Sequence, residues 1–77
     1  MNNLASLSVV IPVFNEEENL DELIRRCLQT CQKTQRPFEI ILVDDGSSDG
    51  SVEKIDAEAR NNPGEIVGVF LNRNYGQ

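Results

Sequence analysis

The chain has 77 residues with 7 Lys+Arg against 13 Asp+Glu, a formal charge of −6, so it holds one small domain at most and little surface to bury. Its 39% apolar and 26% charged residues suit a folded protein and argue against wholesale disorder. The acids concentrate in the second half, which excludes a basic nucleic-acid surface, and no apolar run approaches the roughly 20 residues a membrane span needs.

Taken in chain order, the first element is the run Leu7-Ser-Val-Val-Ile-Pro-Val13. It is nearly continuous and β-branched, the pattern of a strand covered on both faces. Pro12 limits its pairing because it has no backbone donor. Next comes the clearest helix. Leu20, Leu23, Ile24, Cys27, Leu28 and Cys31 fall on one face at helical spacing, with charged and amide side chains opposite. Asn15 reads as its N-cap, with Glu18 completing a variant capping box. Asp21–Arg25 and Glu22–Arg26 read as i,i+4 ion pairs, and Pro37 bars further helix. Cys27 and Cys31 read as small buried apolar side chains in a reduced, cytoplasmic setting. With no His and no second Cys pair, zinc lacks ligands.

A second apolar run follows at Phe38–Val43, then a weaker helix from Ser51 to Arg60 with a narrow stripe of Val52, Ile55 and Ala59. Ser48 or Asp49 can cap its start, and Asn61-Asn-Pro-Gly64 stops it. The third run is Ile66–Leu71. The order β-α-β-α-β predicts an α/β fold with parallel strands and right-handed crossovers. In such sheets ligands bind beyond the carboxyl ends of the strands, so the residues there matter most. They are Phe14, Asn15 and Glu16 after the first strand, Asp44, Asp45, Gly46, Ser47 and Ser48 after the second, and Asn72 to Gly76, including Arg73, after the third.

Each group has a plain structural reading: a polar turn that caps a helix, a core phenylalanine, an arginine paired with the acidic loop. Their convergence on one sheet edge supports a ligand site instead. There a carboxylate can accept from a base imide, an aromatic ring can stack, and an arginine can meet a phosphate. Other nucleotide folds do not fit. A dinucleotide site wants G-x-G-x-x-G after the first strand, where Phe14-Asn-Glu-Glu-Glu stands, and no Gly-Lys-Ser/Thr of a P-loop occurs.

Ser8-Val-Val-Ile-Pro-Val-Phe-Asn-Glu-Glu and Ile41-Leu-Val-Asp-Asp-Gly-Ser-Ser-Asp-Gly-Ser resemble the opening of family-2 glycosyltransferases with the GT-A fold. Leu71-Asn-Arg-Asn-Tyr-Gly-Gln narrows the likeness to the polyprenyl-phosphate glycosyltransferase branch, which includes dolichol-phosphate mannosyltransferases and lipid A-modifying enzymes. The resemblance implies that residues 1–77 are the N-terminal, Rossmann-like nucleotide-sugar-binding part of such a domain. It implies that Pro12, Phe14 and Glu16 line the base and ribose, that Asp44 and Asp45 with Gly46 and Ser47 contact base and sugar, and that Arg73 lies beside the donor phosphates. The donor implied is a UDP-sugar and the acceptor a polyprenyl phosphate. The transfer inverts the anomeric centre at the cytoplasmic face of the membrane. A divalent metal (Mg or Mn) is implied for the full enzyme, but its Asp-x-Asp motif does not occur here, so neither a metal site nor turnover is expected of these residues alone. A sheet lacking its usual cover is expected to self-associate. The alternatives are a non-catalytic nucleotide- or protein-binding module and an inert structural fragment.

Overall fold

The computed structural model describes residues 6–71. Its elements are β1 (Leu7–Val13), α1 (Glu17–Lys33), β2 (Phe38–Asp44), α2 (Ser51–Asn61) and β3 (Ile66–Phe70). The strands form a parallel sheet in the order β1-β2-β3, with Val9 beside Ile40 and Ile40 beside Ile66. The β-α-β-α-β order expected from the three apolar runs is the one found.

Both helices pack against each other and on the same face of the sheet. Strand alternation therefore divides the side chains cleanly. Val13, Ile40, Leu42 and Ile66 point toward the helices and close with Leu20, Ile24, Cys31 and Ile55 into the buried core. The register places Gly68 beside Leu42, directly under α2, where a Cβ would stand 2.8 Å from Ile55 Cγ2. A side chain there would push the helix off the sheet, so the strand is glycine at the point of closest approach.

The opposite face carries Val10, Ile41, Val43, Val67 and Val69, and among the described residues nothing covers it; Val10 is 61% exposed. This corrects the sequence reading of strands covered on both faces. A run of Val and Ile looks the same whether its second face is covered or waiting for cover. Two polar residues share that face, Ser8 and its register partner Glu39, and the Ser8 hydroxyl donates to Glu39 Oε2 at 2.7 Å. Pro12 sits in β1, an edge of the described sheet, where a missing donor costs least.

The ends of α1 differ from the expected ones. The helix starts at Glu17, and Asn15 lies before it in the left-handed region at φ 51°, a conformation asparagine tolerates better than most residues. Its side chain does not cap α1. At the other end, Gln35 turns left-handed at φ 57° and the Thr34 hydroxyl donates to the Cys31 carbonyl at 2.7 Å, so the helix stops before Pro37 acts. Asp21 pairs with Lys54 of α2 at 2.7 Å rather than with Arg25, which joins Arg26 on Glu22. Cys31 is buried and Cys27 half-buried. Burial, and next the neighbouring Cys31, push the Cys27 thiol above its ordinary value, in keeping with an apolar role.

Candidate functional site

The chain leaves β1 and β2 at the same edge of the sheet, and the two loops that follow are bonded into one unit. The Asn15 N–H donates to Ser47 Oγ at 2.8 Å, and the Ser48 N–H donates back to Asn15 Oδ1 at 2.8 Å. One residue further on, the Glu16 N–H donates to Ser51 Oγ at 3.1 Å. Glu17 and Asp49 then cap each other's helices. The Glu17 N–H donates to Asp49 Oδ2 at 3.1 Å, and the Gly50 N–H donates to Glu17 Oε1 at 2.9 Å. The first amides of a helix have no partner within it, and a carboxylate there also meets the positive end of the helix dipole. Here each helix start is met by a carboxylate from across the gap. The local capping box expected of Asn15 and Glu18 is not formed, because Asn15 spends its side chain across the gap.

Asp49 also accepts from its own helix, taking the Ser51 N–H on Oδ1 at 2.9 Å. The Ser51 hydroxyl holds its carboxyl below the ordinary value of 3.8, helped by the N–H groups of Ser51 and Glu17. Since the folded value is the lower one, this contribution to stability is in force at neutral pH and is lost as pH falls through the lowered value. Asp49→Asn, with a single acceptor oxygen, cannot serve both helices. The expected result is a lower melting temperature at neutral pH and faster hydrogen exchange at the Glu17 amide, with the difference from the parent chain shrinking in acid. An unchanged exchange rate at Glu17 would contradict the cross-loop cap.

The structure treats the two carboxylates of the acidic pair differently. Asp44 is 1% exposed, on the helix-covered side, and its Oδ2 accepts the N–H groups of Gly46 at 3.1 Å and Ser47 at 2.9 Å. Asp45 is half-buried, and its own N–H donates to the Val13 carbonyl at 3.0 Å, so the β1–β2 ladder continues into the loop. Gly46 follows at φ 87°, which a side chain would strain. Phe14 is 56% exposed, a ring presented at the edge rather than in the core. Glu16 is exposed beside it, and its Oε1 has the Asn19 amide at 3.5 Å. Pro12 lies one strand position before Val13 and is exposed on the open side of the sheet. An open polar hollow of about 370 Å³ is lined by Asn15, Glu16, Glu17, Glu18, Asn19 and Asp49.

Of the residues expected at the site, Phe14, Glu16, Asp44, Asp45, Gly46 and Ser47 thus come together at the carboxyl ends of β1 and β2. Arg73 lies outside the described residues; the last of them, Leu71, donates its N–H to the Asp44 carbonyl at 2.9 Å. Sequence reasoning missed Glu17 and the cross-loop use of Asn15, Asp49 and Ser51. The signal was present as carboxylates at both helix starts, but their partners are in the other loop. Among the described residues no group of three or more His, Cys, Asp or Glu could hold a metal ion, and no helix is long and apolar enough to cross a membrane.

Residues 8–77 match the family described as Glycosyl transferase family 2. The chain is 52% identical over all 77 residues to the undecaprenyl-phosphate 4-deoxy-4-formamido-L-arabinose transferase of Pectobacterium atrosepticum, covering 24% of that protein. It is 55% identical over 71 residues, 92% of this chain and 21% of the relative, to the protein of the same name from Pseudomonas aeruginosa. For the Proteus mirabilis protein of that name the figures are 46% over 71 residues, 92% and 22%. The chain therefore spans about a quarter of the length of the curated relatives it matches. The parallel sheet with its two helices is consistent with the N-terminal, Rossmann-like part of a GT-A fold.

Proposed function

Because the chain belongs to glycosyl transferase family 2, we propose that its strand-end site binds the nucleotide of a sugar donor, a uridine diphosphate sugar. The observation that carries this reading is the convergence of an exposed ring, Phe14, with the half-buried Asp45 and Ser47 and the exposed Gly46 between them, at the carboxyl ends of adjacent parallel strands. In this reading Phe14 and Pro12 form the apolar wall against base and ribose. The Asp45 carboxylate accepts from the base imide N–H, Glu16 and the Ser47 hydroxyl meet ribose hydroxyls, and Arg73 pairs with the diphosphate.

In the reaction to which such a site belongs, as the name of the relatives suggests, the sugar would pass to a polyprenyl phosphate at the cytoplasmic face of the membrane, in the setting of lipid A modification. The acceptor phosphate oxygen attacks the anomeric carbon from the side opposite the departing nucleotide diphosphate, which inverts that centre. This chain's part is to hold the nucleotide still while that happens. A divalent metal belongs to the family's chemistry, but the carboxylates described here do not fit one. Asp44 and Asp49 are committed to backbone N–H groups, and no step is assigned to a metal through them.

Titration calorimetry of the chain with UDP, CDP and GDP tests the base assignment. UDP is expected to bind tightest, as the family resemblance implies; GDP is the sharpest rival, because guanine can donate both N1–H and N2–H to one carboxylate. Equal heats for all three would remove the assignment, and heat with none would remove nucleotide binding by these residues. The apolar open face further supports self-association of the chain. Light scattering at micromolar concentration is expected to give a mass above the monomer's, and a monomeric mass would refute this part.

A further inference from the structure

Asp44 is the one carboxylate at the site whose burial separates it from a ligand. It is 1% exposed, flanked in register by Val13 and Phe70, and its Oδ1 has no hydrogen-bond partner among the described residues. Its Oδ2 gathers two successive amides, Gly46 and Ser47, at 3.1 and 2.9 Å. Ser47, so placed, offers Oγ to the Asn15 N–H at 2.8 Å, and Asn15 returns its Oδ1 to Ser48. A line of hydrogen bonds therefore runs from the buried end of β2 through the turn at residues 45–48 to the loop that carries Phe14 and Glu16. Bonds from N–H groups to a carboxylate are the stronger kind, and two on one oxygen fix the turn that makes them.

We propose that Asp44 is a positioning residue and not a nucleotide contact. It sets the turn that presents Asp45 and Ser47, and through Ser47 it fixes the spacing between the β1–α1 and β2–α2 loops. Its consequence for binding rests on the nucleotide reading above; its consequence for the two loops does not. The chemistry separates the alternatives. Asparagine can accept the same two amides with its single oxygen, and it places an NH₂ where Oδ1 now stands without a partner. A positioning role therefore tolerates asparagine. A ligand contact through Oδ1 does not, because an acceptor has become a donor.

The experiment compares Asp44→Asn, Asp44→Ala and Ser47→Ala in the 77-residue chain by amide hydrogen exchange and by UDP titration. Asp44→Asn is expected to keep the Gly46, Ser47 and Asn15 amides protected and to bind UDP within about twofold of the parent. Asp44→Ala is expected to lose protection at all three amides and to weaken UDP binding by about tenfold while the Ile40 and Leu42 amides stay protected. Ser47→Ala, which leaves Asp44 in place, is expected to expose the Asn15 amide alone, and it keeps the proposal open to refutation if Asp44→Ala does not fold. Asp44→Asn binding UDP tenfold or more weakly with all three amides still protected would overturn the proposal in favour of direct contact (the same order as above). Protection retained in Asp44→Ala, or Asn15 unaffected in Ser47→Ala, would overturn the hydrogen-bonded line itself. A parent chain that ignores UDP would remove the nucleotide reading, and the amide protections would still decide the positioning role.

Discussion

Leu42→Ala is expected to move the urea midpoint of the chain to roughly half the parent's value or lower. Leu42 is 0% exposed in the central strand, paired with Ile11 on one side and Gly68 on the other. Truncating a buried leucine to alanine costs about 2–5 kcal/mol, the upper values applying where the surroundings cannot collapse into the space. Here collapse is poor. Gly68 has no side chain to move, and Ile55 already rests against it from α2. A chain of this size has about 4–12 kcal/mol of stability in total, and small domains sit toward the lower end. The substitution thus removes roughly half of what holds the fold or more. Urea unfolding followed by far-ultraviolet circular dichroism measures it. A transition midpoint matching the parent's would mean that the core described here does not hold the chain together.

The second large effect falls on binding. Asp45→Asn is expected to weaken UDP by about tenfold or more, because a hydrogen bond to a charged acceptor contributes about 1.5–3 kcal/mol and the neutral amide keeps only part of it. The fold should survive. The backbone N–H of residue 45 bonds to the Val13 carbonyl whichever of the two side chains the residue carries. Calorimetry on Asp45→Asn and the parent side by side gives the ratio. Equal affinities would take Asp45 out of the site.

The two substitutions draw on parts of the molecule that were not equally legible in the sequence. The strands could be read because Leu7–Val13, Phe38–Asp44 and Ile66–Phe70 are apolar runs bounded by turn residues, and α1 because Leu20, Ile24 and Cys31 keep helical spacing. Convergence at one edge followed from the parallel order. The roles of individual loop residues did not follow, because capping rules look for a partner within the same helix. Asn15 has a suitable oxygen for α1, yet it is taken by the Ser48 N–H of the other loop. Asp21 likewise leaves its helix neighbour Arg25 for Lys54. The difference between Asp44 and Asp45 is one of burial, and adjacent letters in a sequence carry no burial. The open face could not be read from the strands themselves, since Val10, Val67 and Val69 would read the same if another layer covered them, although the family resemblance already implies a sheet lacking its usual cover.

The central claim is that the two strand-end loops, locked together, present a nucleotide site. An amide-resolved NMR titration of the chain with UDP, with and without magnesium, tests it most directly. The account predicts saturable shifts at Phe14, Glu16 and Asp45–Ser47, with the amides on the far side of the sheet, around Phe38 and Gly64, unmoved. A well-dispersed spectrum that does not respond to UDP, or shifts scattered over the open sheet face instead of the strand ends, would contradict it.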